Sequence, residues 1–380
     1  MAPTLLFVSY AFPPENTSGG IRTWRTVERL AAEYDIVVLT RSHGESSGLV
    51  DELPDNVTVY RSYEQDVVTR LTYKPLWVAT ALRKAREIFA THDIDLLWTR
   101  YTPIAPHLVG LALKRRYDVP WIGYFGDPWV DSPYKEGSWV TSRTVERAVV
   151  RNADALTFST ERLSAMFAEQ YPGIESNCHV VPNFVDPEEI ERVAPTQRAD
   201  DGVVRFTHIG NLYGLRTPKP LLEALTMLPA SYRERTAVEF IGETVAFDDL
   251  FAEYGDLSAV TRIDRLPKDE AIARAKAADV LLLLDAPVTP SPFLPMKLVE
   301  YLFMERPILG LTPTEGTSAD VLRDTNAGEI APPDDPAAIA ATIEGFHDRR
   351  EPRAIDDEAR RRYSAEAAVD ELSRVIADLL

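Results

Sequence analysis

A single cysteine, Cys178, stands in 380 residues, which excludes an internal disulfide and any cysteine-rich metal site. Lysine is nearly as scarce: eight against 33 arginines, in a chain of formal net charge −18. That balance argues against bulk affinity for nucleic acid or for an anionic membrane. An acidic, lysine-poor surface suits a salt-rich cytoplasm, so a halophile's acidic proteome is one expectation and a merely acidic protein the other. Nowhere does an uninterrupted apolar stretch approach the roughly 18 residues that span a bilayer. The N-terminal "LLFV" (5–8) runs straight into Ser9-Tyr10 with no charged head or small-residue cleavage site, so it reads as a first strand and a cytoplasmic address is expected. His43, His92, His107, His179, His208 and His347 form no short ligand pattern, and no metal site is expected.

What is present is alternation. Short β-rich runs at 5–10, 36–40, 57–60, 95–99, 121–125, 155–159 and 179–182 are separated by helical patterns at 21–33, 76–90, 104–116 and 141–151. A second series, 203–209, 237–242, 260–266, 280–284 and 307–311, alternates with helical patterns at 220–228, 268–277, 295–304 and 318–323. Such alternation implies α/β architecture with parallel sheets covered by helices on both faces. The length suits two doubly wound, Rossmann-like domains facing a cleft. The seam is expected after "VVPNFVD" (180–186), where an acidic stretch containing Pro and Asp precedes a fresh strand. The expected domains are 1–187, 188–355 and a terminal helical segment, 356–380, that packs back on the first domain.

In open α/β sheets, ligands collect at the carboxyl ends of the strands, where helix N-termini present free N–H groups. Three strand-to-helix loops have that character. "SYAFPPENTSGGIRTW" (9–24) carries Gly19 and Gly20 just before a helix, yet is neither a dinucleotide fingerprint nor a Walker loop. "HIGNLYGLRTPKPLLEAL" (208–225) carries Arg216 and Lys219, and arginine's planar fork can hold two phosphate oxygens. In "SPFLPMKLVEYL" (291–302), Pro295 suits the first helical position. Lys297 then falls in the first turn, where the helix dipole disfavours a cation unless an anion is bound. Glu300, three residues on, shares its face; the plain alternative is an exposed Lys–Glu pair.

In this order and spacing the segments resemble the family 4 glycosyltransferases of the GT-B fold. The resemblance rests on "LLFVSYAFPPENTSGGIRTW", "HVVPNFVD", "FTHIGNLYGLRTPKPLLEAL" and "PMKLVEYLFMERPIL", and covers nearly the whole chain. It implies a nucleotide-diphosphate sugar as donor, bound mainly by the second domain, and a glycan or lipid-linked acceptor on the first. It also implies transfer with retention at the anomeric carbon. Arg216 and Lys297 would contact the diphosphate, Glu300 the ribose hydroxyls, and Gly19 and Gly20 the phosphates or the transferred sugar. The family often has a further glutamate where this chain has Pro292, so no residue is assigned to the sugar there. Asp127, in "WIGYFGDPWVDSP" (121–133), matches an aspartate that faces the transferred sugar in relatives; Asp-Pro is otherwise an ordinary turn starter. Arg100 ends a strand near it. Neither cofactor nor metal is expected, because two cations and helix dipoles can neutralise the diphosphate.

Basic clusters at 82–86 ("LRKAR") and 113–116 ("LKRR") are read either as contacts to anionic lipid at the inner face of the membrane or as cations favoured by helix C-termini. A sugar-nucleotide epimerase of the same fold and a non-catalytic glycosyltransferase-like subunit are the alternative functions.

Overall fold

The computed structural model describes residues 2–15, 17–42, 53–62, 74–132, 139–198, 200–348 and 354–380. The β-rich runs form strands β1 (Thr4–Val8), β2 (Asp35–Arg41), β3 (Val57–Ser62), β4 (Leu96–Tyr101), β5 (Trp121–Phe125), β6 (Ala155–Phe158) and β7 (Cys178–Val180) in one sheet. A second sheet contains β8 (Val204–Ile209), β9 (Thr236–Ile241), β10 (Val260–Ile263), β11 (Val280–Leu284), β12 (Ile308–Leu311) and β13 (Gly328–Ala331). Strand orders are β3-β2-β1-β4-β5-β6-β7 and β10-β9-β8-β11-β12-β13, with every pairing parallel. Both are doubly wound Rossmann-like sheets. In each, the order reverses at one place, between β1 and β4 and between β8 and β11, and loops leaving those ends diverge to open a crevice.

Strand sequences show why both faces are covered. All five residues of β11, "VLLLL", are buried. Successive side chains point to opposite faces, so Leu281 and Leu283 enter one hydrophobic cluster with Leu298, Tyr301 and Val321, while Leu282 and Leu284 enter another with Leu221, Leu225 and Ile343. The first sheet is packed in the same way around Trp77, Trp121, Phe125, Phe158 and Phe167.

The chain divides into two compact units, Met1–Asn183 with Ala365–Leu380, and Phe184–Ser364. The expected seam at 187 thus lies a few residues inside the second unit. The reason is packing: Val185 and Ile190 join the second unit's core, and the Val185 N–H donates to the Tyr363 carbonyl at 3.1 Å. Asp186 caps the short helix Pro187–Glu191, so the acidic stretch expected as linker begins as folded structure. Of the expected terminal segment 356–380, residues 356–364 stay with the second unit, where the Asp356 N–H donates to the Thr325 carbonyl. The helix Ala365–Leu379 belongs to the first unit, burying Ala368, Leu372, Val375 and Ile376 beside the helix Ser18–Leu30. Strand β13 and the helices Glu161–Gln170 and Pro336–Asp348 were not anticipated.

Candidate functional site

At the reversal point of the second sheet, β8 ends in His208-Ile209 and turns at Gly210, whose φ is +120°. A β-carbon there would meet Lys297 Nζ, the movable end of that side chain, at 2.8 Å, so the backbone requires glycine and an added methyl would displace the ammonium. The imidazole of His208 is fully buried, and its Nδ1 lies 2.9 Å from the Leu282 carbonyl. A carbonyl only accepts, so Nδ1 carries the hydrogen and Nε2 is left as an acceptor. Lys297 Nζ, 2.9 Å from Nε2, donates to it. Burial first, and the neighbouring Lys297 ammonium second, keep the His208 pKa well below its ordinary value, which holds the ring neutral in that tautomer.

Lys297 arrives there on the helix Met296–Tyr301. Pro295 is the residue before this helix, with extended backbone, and not its first helical residue as expected. Tyr301, one turn beyond Lys297 and on the same face, accepts from the Ile209 N–H at 3.0 Å and donates to the Leu282 carbonyl at 3.3 Å. It fastens the helix to the ends of β8 and β11. The hydrogen bond of Lys297 therefore runs to His208, and the exposed Lys–Glu pair is not what occupies the ammonium.

Arg216, in the loop after β8, donates from Nη1 to Tyr213 Oη at 3.0 Å, with its guanidinium 5.3 Å from that ring's centroid. Its Nε is buried without a hydrogen-bond partner. Lys297 is held down at about 7, by burial and then by the Arg216 guanidinium, with Asp285 and Glu300 opposing. Asp285, at the end of β11, is 7% exposed and accepts from Thr312 Oγ1 at 3.0 Å. Burial raises its pKa, against Ser318, Arg216, Thr312 and Lys297. Sequence reasoning missed His208 and Asp285. Arg216, Lys297, His208 and Asp285 thus form one electrostatically coupled group, with Glu300 on the adjoining turn. Lys219 lies outside it, exposed and paired with Glu223 at 3.8 Å.

The first unit gathers a different set. The helix Ser18–Leu30 is capped by Thr17, whose Oγ1 accepts the Gly20 N–H at 3.1 Å. Gly20's N–H is therefore already committed, and a β-carbon there would sit 3.0 Å from the Glu15 carbonyl oxygen. Close approach is what this glycine offers. At Gly19 a β-carbon would meet the Arg100 guanidinium at 3.5 Å. Arg100, on β4, pairs across to Tyr124 on β5. Guanidinium carbons of Arg100 and Arg22 lie 5.1 and 4.5 Å from the Tyr124 ring centroid. Asp127, exposed just past β5, adds negative charge felt by both arginines. Its turn is pinned where Ser159 Oγ donates to the Gly126 carbonyl at 2.7 Å and Glu146 accepts the Val130 N–H at 3.1 Å.

Of the basic clusters, Lys84 pairs with Glu87 at 2.5 Å and Lys114 with Asp154 at 3.0 Å and Asp118 at 3.3 Å. Arg83, Arg86, Arg115 and Arg116 are exposed. Among the described residues no helix is long and apolar enough to cross a membrane, and no cluster of three or more His, Cys, Asp or Glu is placed to hold a metal ion.

Residues 19–189 match the family description Glycosyltransferase Family 4. The sucrose-phosphate synthase of Thermosynechococcus elongatus superimposes with a TM-score of 0.79 at 16% identity, covering 99% of each chain. The chain has the GT-B glycosyltransferase fold. Another GT-B structure, the lipopolysaccharide outer core galactosyltransferase WaaB, gives a TM-score of 0.69 at 14% identity, covering 99% of this chain and 100% of its own. A putative UDP-N-acetylglucosamine 2-epimerase from Listeria monocytogenes gives 0.65 at 12% identity, covering 99% and 96%. No curated protein matches the chain. The GT-B assignment agrees with the two parallel sheets of seven and six strands.

Proposed function

We propose that the chain transfers a glycosyl group from a nucleotide-diphosphate sugar to a glycan or lipid-linked acceptor, with retention at the anomeric carbon. The observation that carries this reading is the coupled pair Arg216 and Lys297 at the reversal point of the second sheet. Two neighbouring cations, one depressed toward neutrality and one with a buried N–H unmatched, gain most from a dianionic group placed against both. A diphosphate is such a group, and Glu300, one turn from Lys297, would accept from ribose hydroxyls attached to it.

When the sugar–phosphate bond breaks, negative charge grows on the departing diphosphate. Preorganised donors aimed at that charge lower the barrier. His208 contributes by fixing the direction of the Lys297 ammonium, and Asp285 by keeping it partly charged while the site is empty. In the first unit, Gly19 and Asp127 would face the transferred sugar and acceptor. Either Asp127 or the departing phosphate takes the acceptor proton. No metal ion is part of this scheme.

Thermal-shift measurements with a panel of nucleoside diphosphates and their sugars test the donor site, because a ligand that binds only the folded chain raises the melting temperature. One base should stand out, and Lys297→Ala should abolish its shift. A flat panel would count against the reading. The epimerase neighbour supports a second reading, conversion of the donor without an acceptor. Product analysis separates them: an epimerised nucleotide sugar in the absence of acceptor favours the second.

A further inference from the structure

Arg100 and Tyr124 leave an unmatched requirement that the donor site does not use. Arg22 is anchored, donating to the carbonyls of Val181 at 3.2 Å and Pro182 at 3.0 Å and to Asn183 Oδ1. Arg100 makes no hydrogen bond or ion pair among the described residues; its guanidinium is pressed between Gly19 and the Tyr124 ring. The Tyr124 hydroxyl is buried, in a residue 2% exposed; the Arg22 guanidinium lies close to its oxygen, and its own O–H meets no acceptor. Arg100, part-exposed, therefore brings five N–H donors with no protein acceptor beside one buried, unmatched O–H and a second guanidinium. Leaving the buried hydroxyl unmatched is costly.

We propose that the first unit holds an anion subsite of its own, in which Arg100 and the Tyr124 hydroxyl bind a phosphate group carried by the acceptor. Arg22 is its scaffold, holding the ring of Tyr124 and adding positive charge. A phosphate supplies enough acceptor oxygens for both the guanidinium fork and the phenol, and its double charge balances two arginines. Burial and the neighbouring Arg22 lower Arg100 to about 10, which leaves it charged at neutral pH, with Tyr124 and Asp127 opposing the shift. The identification of the ligand as an acceptor rests on the glycosyl-transfer reading, in which Arg216 and Lys297 already serve the donor diphosphate. Anion binding at Arg100 does not rest on it.

The test is calorimetric titration of the full chain with inorganic phosphate in a Lys297→Ala background, which weakens phosphate capture by the second unit. Adding Arg100→Gln should weaken the remaining phosphate affinity roughly tenfold or more, and Arg100→Lys by less. Tyr124→Phe should weaken it severalfold with an unchanged melting temperature, and it carries the test should the Arg100 variants fold poorly. In otherwise unaltered protein, Arg100→Gln should leave affinity for the nucleoside diphosphate within about twofold. Phosphate affinity indifferent to both positions, or no phosphate binding at all in the Lys297→Ala background, would overturn the subsite. An equal loss of nucleoside diphosphate affinity in Arg100→Gln would assign these groups to the donor and overturn the acceptor identity. Because binding is read without turnover, an inactive enzyme leaves the outcome intact.

Discussion

Lys297 and Arg100 are both cations at the carboxyl ends of parallel strands beside a topological reversal, yet they are held by opposite means. Lys297 donates to a neutral imidazole that is itself oriented by a backbone carbonyl. Arg100 rests on an aromatic face with a glycine at its back. An ammonium can lose its proton when it is buried beside another cation, and Lys297 is brought to about 7. A guanidinium in comparable company stays charged. The second unit has therefore built a cation whose charge its surroundings can switch near neutral pH, and the first unit one whose charge is fixed.

The largest effect that would break this contrast is loss of turnover. Lys297→Ala or Arg216→Ala should each cut sugar transfer roughly a hundredfold or more, on the basis of about 2.7 to 4 kcal/mol per lost transition-state donor. Near-normal rates in both variants would remove the second unit from the chemistry. Next is Gly210→Ala, where the added methyl collides with the ammonium and the backbone is strained. Affinity for the nucleoside diphosphate should fall about tenfold, roughly 1.4 kcal/mol, read as a smaller ligand-induced rise in melting temperature.

The contrast sharpens in proton uptake. A diphosphate beside Lys297 raises its pKa, so binding above pH 7 should take up close to one proton, seen as a dependence of binding enthalpy on the buffer's ionisation enthalpy. The uptake should vanish below about pH 6, where the lysine is already protonated, and phosphate binding at Arg100 should not show that lysine-linked component. Equal uptake at both sites would erase the distinction. The smallest expected effect concerns the pinned turn near Asp127. Glu146, 1% exposed, has its pKa raised to about 7 by burial, against hydrogen bonds from Tyr171 and Val130. The folded state then binds the proton more tightly than the unfolded one, so this group's stabilisation is full below pH 4.5 and lost as pH rises to about 7. Glu146→Gln should flatten that slope in denaturant titrations across the window.

Strands were legible where apolar residues run continuously, as in "WIGYF" and "VLLLL". Strand β13 was not, because "GEIA" offers one large apolar residue, and its glycine is there for space: a β-carbon at Gly328 would lie 1.9 Å from the Ile308 carbonyl oxygen. Two unread helices did carry signals. Thr160 accepts the Leu163 N–H as a cap, and Asp335 accepts the Ala338 N–H ahead of Ile339, Ile343 and Phe346 at helical spacing. In the site, Lys297 and Arg216 could be picked out because basic residues at strand-to-helix turns need a reason. His208 could not, since a lone histidine in a strand reads as core until the lysine 89 residues away is brought to it. Asp285 likewise ends an apolar strand, and Thr312 and the two cations give it meaning only after folding.

The helix Ala365–Leu379 gives the first unit a schedule as well as a shape. During synthesis, residues 1–183 emerge well before Ala365–Leu379, so the helix Ser18–Leu30, which bears Gly19, is covered only once that segment has been made. The second unit, Phe184–Ser364, is contiguous and can close first. Shortening the chain by fifteen residues or so would therefore damage the half of the molecule farthest away in sequence.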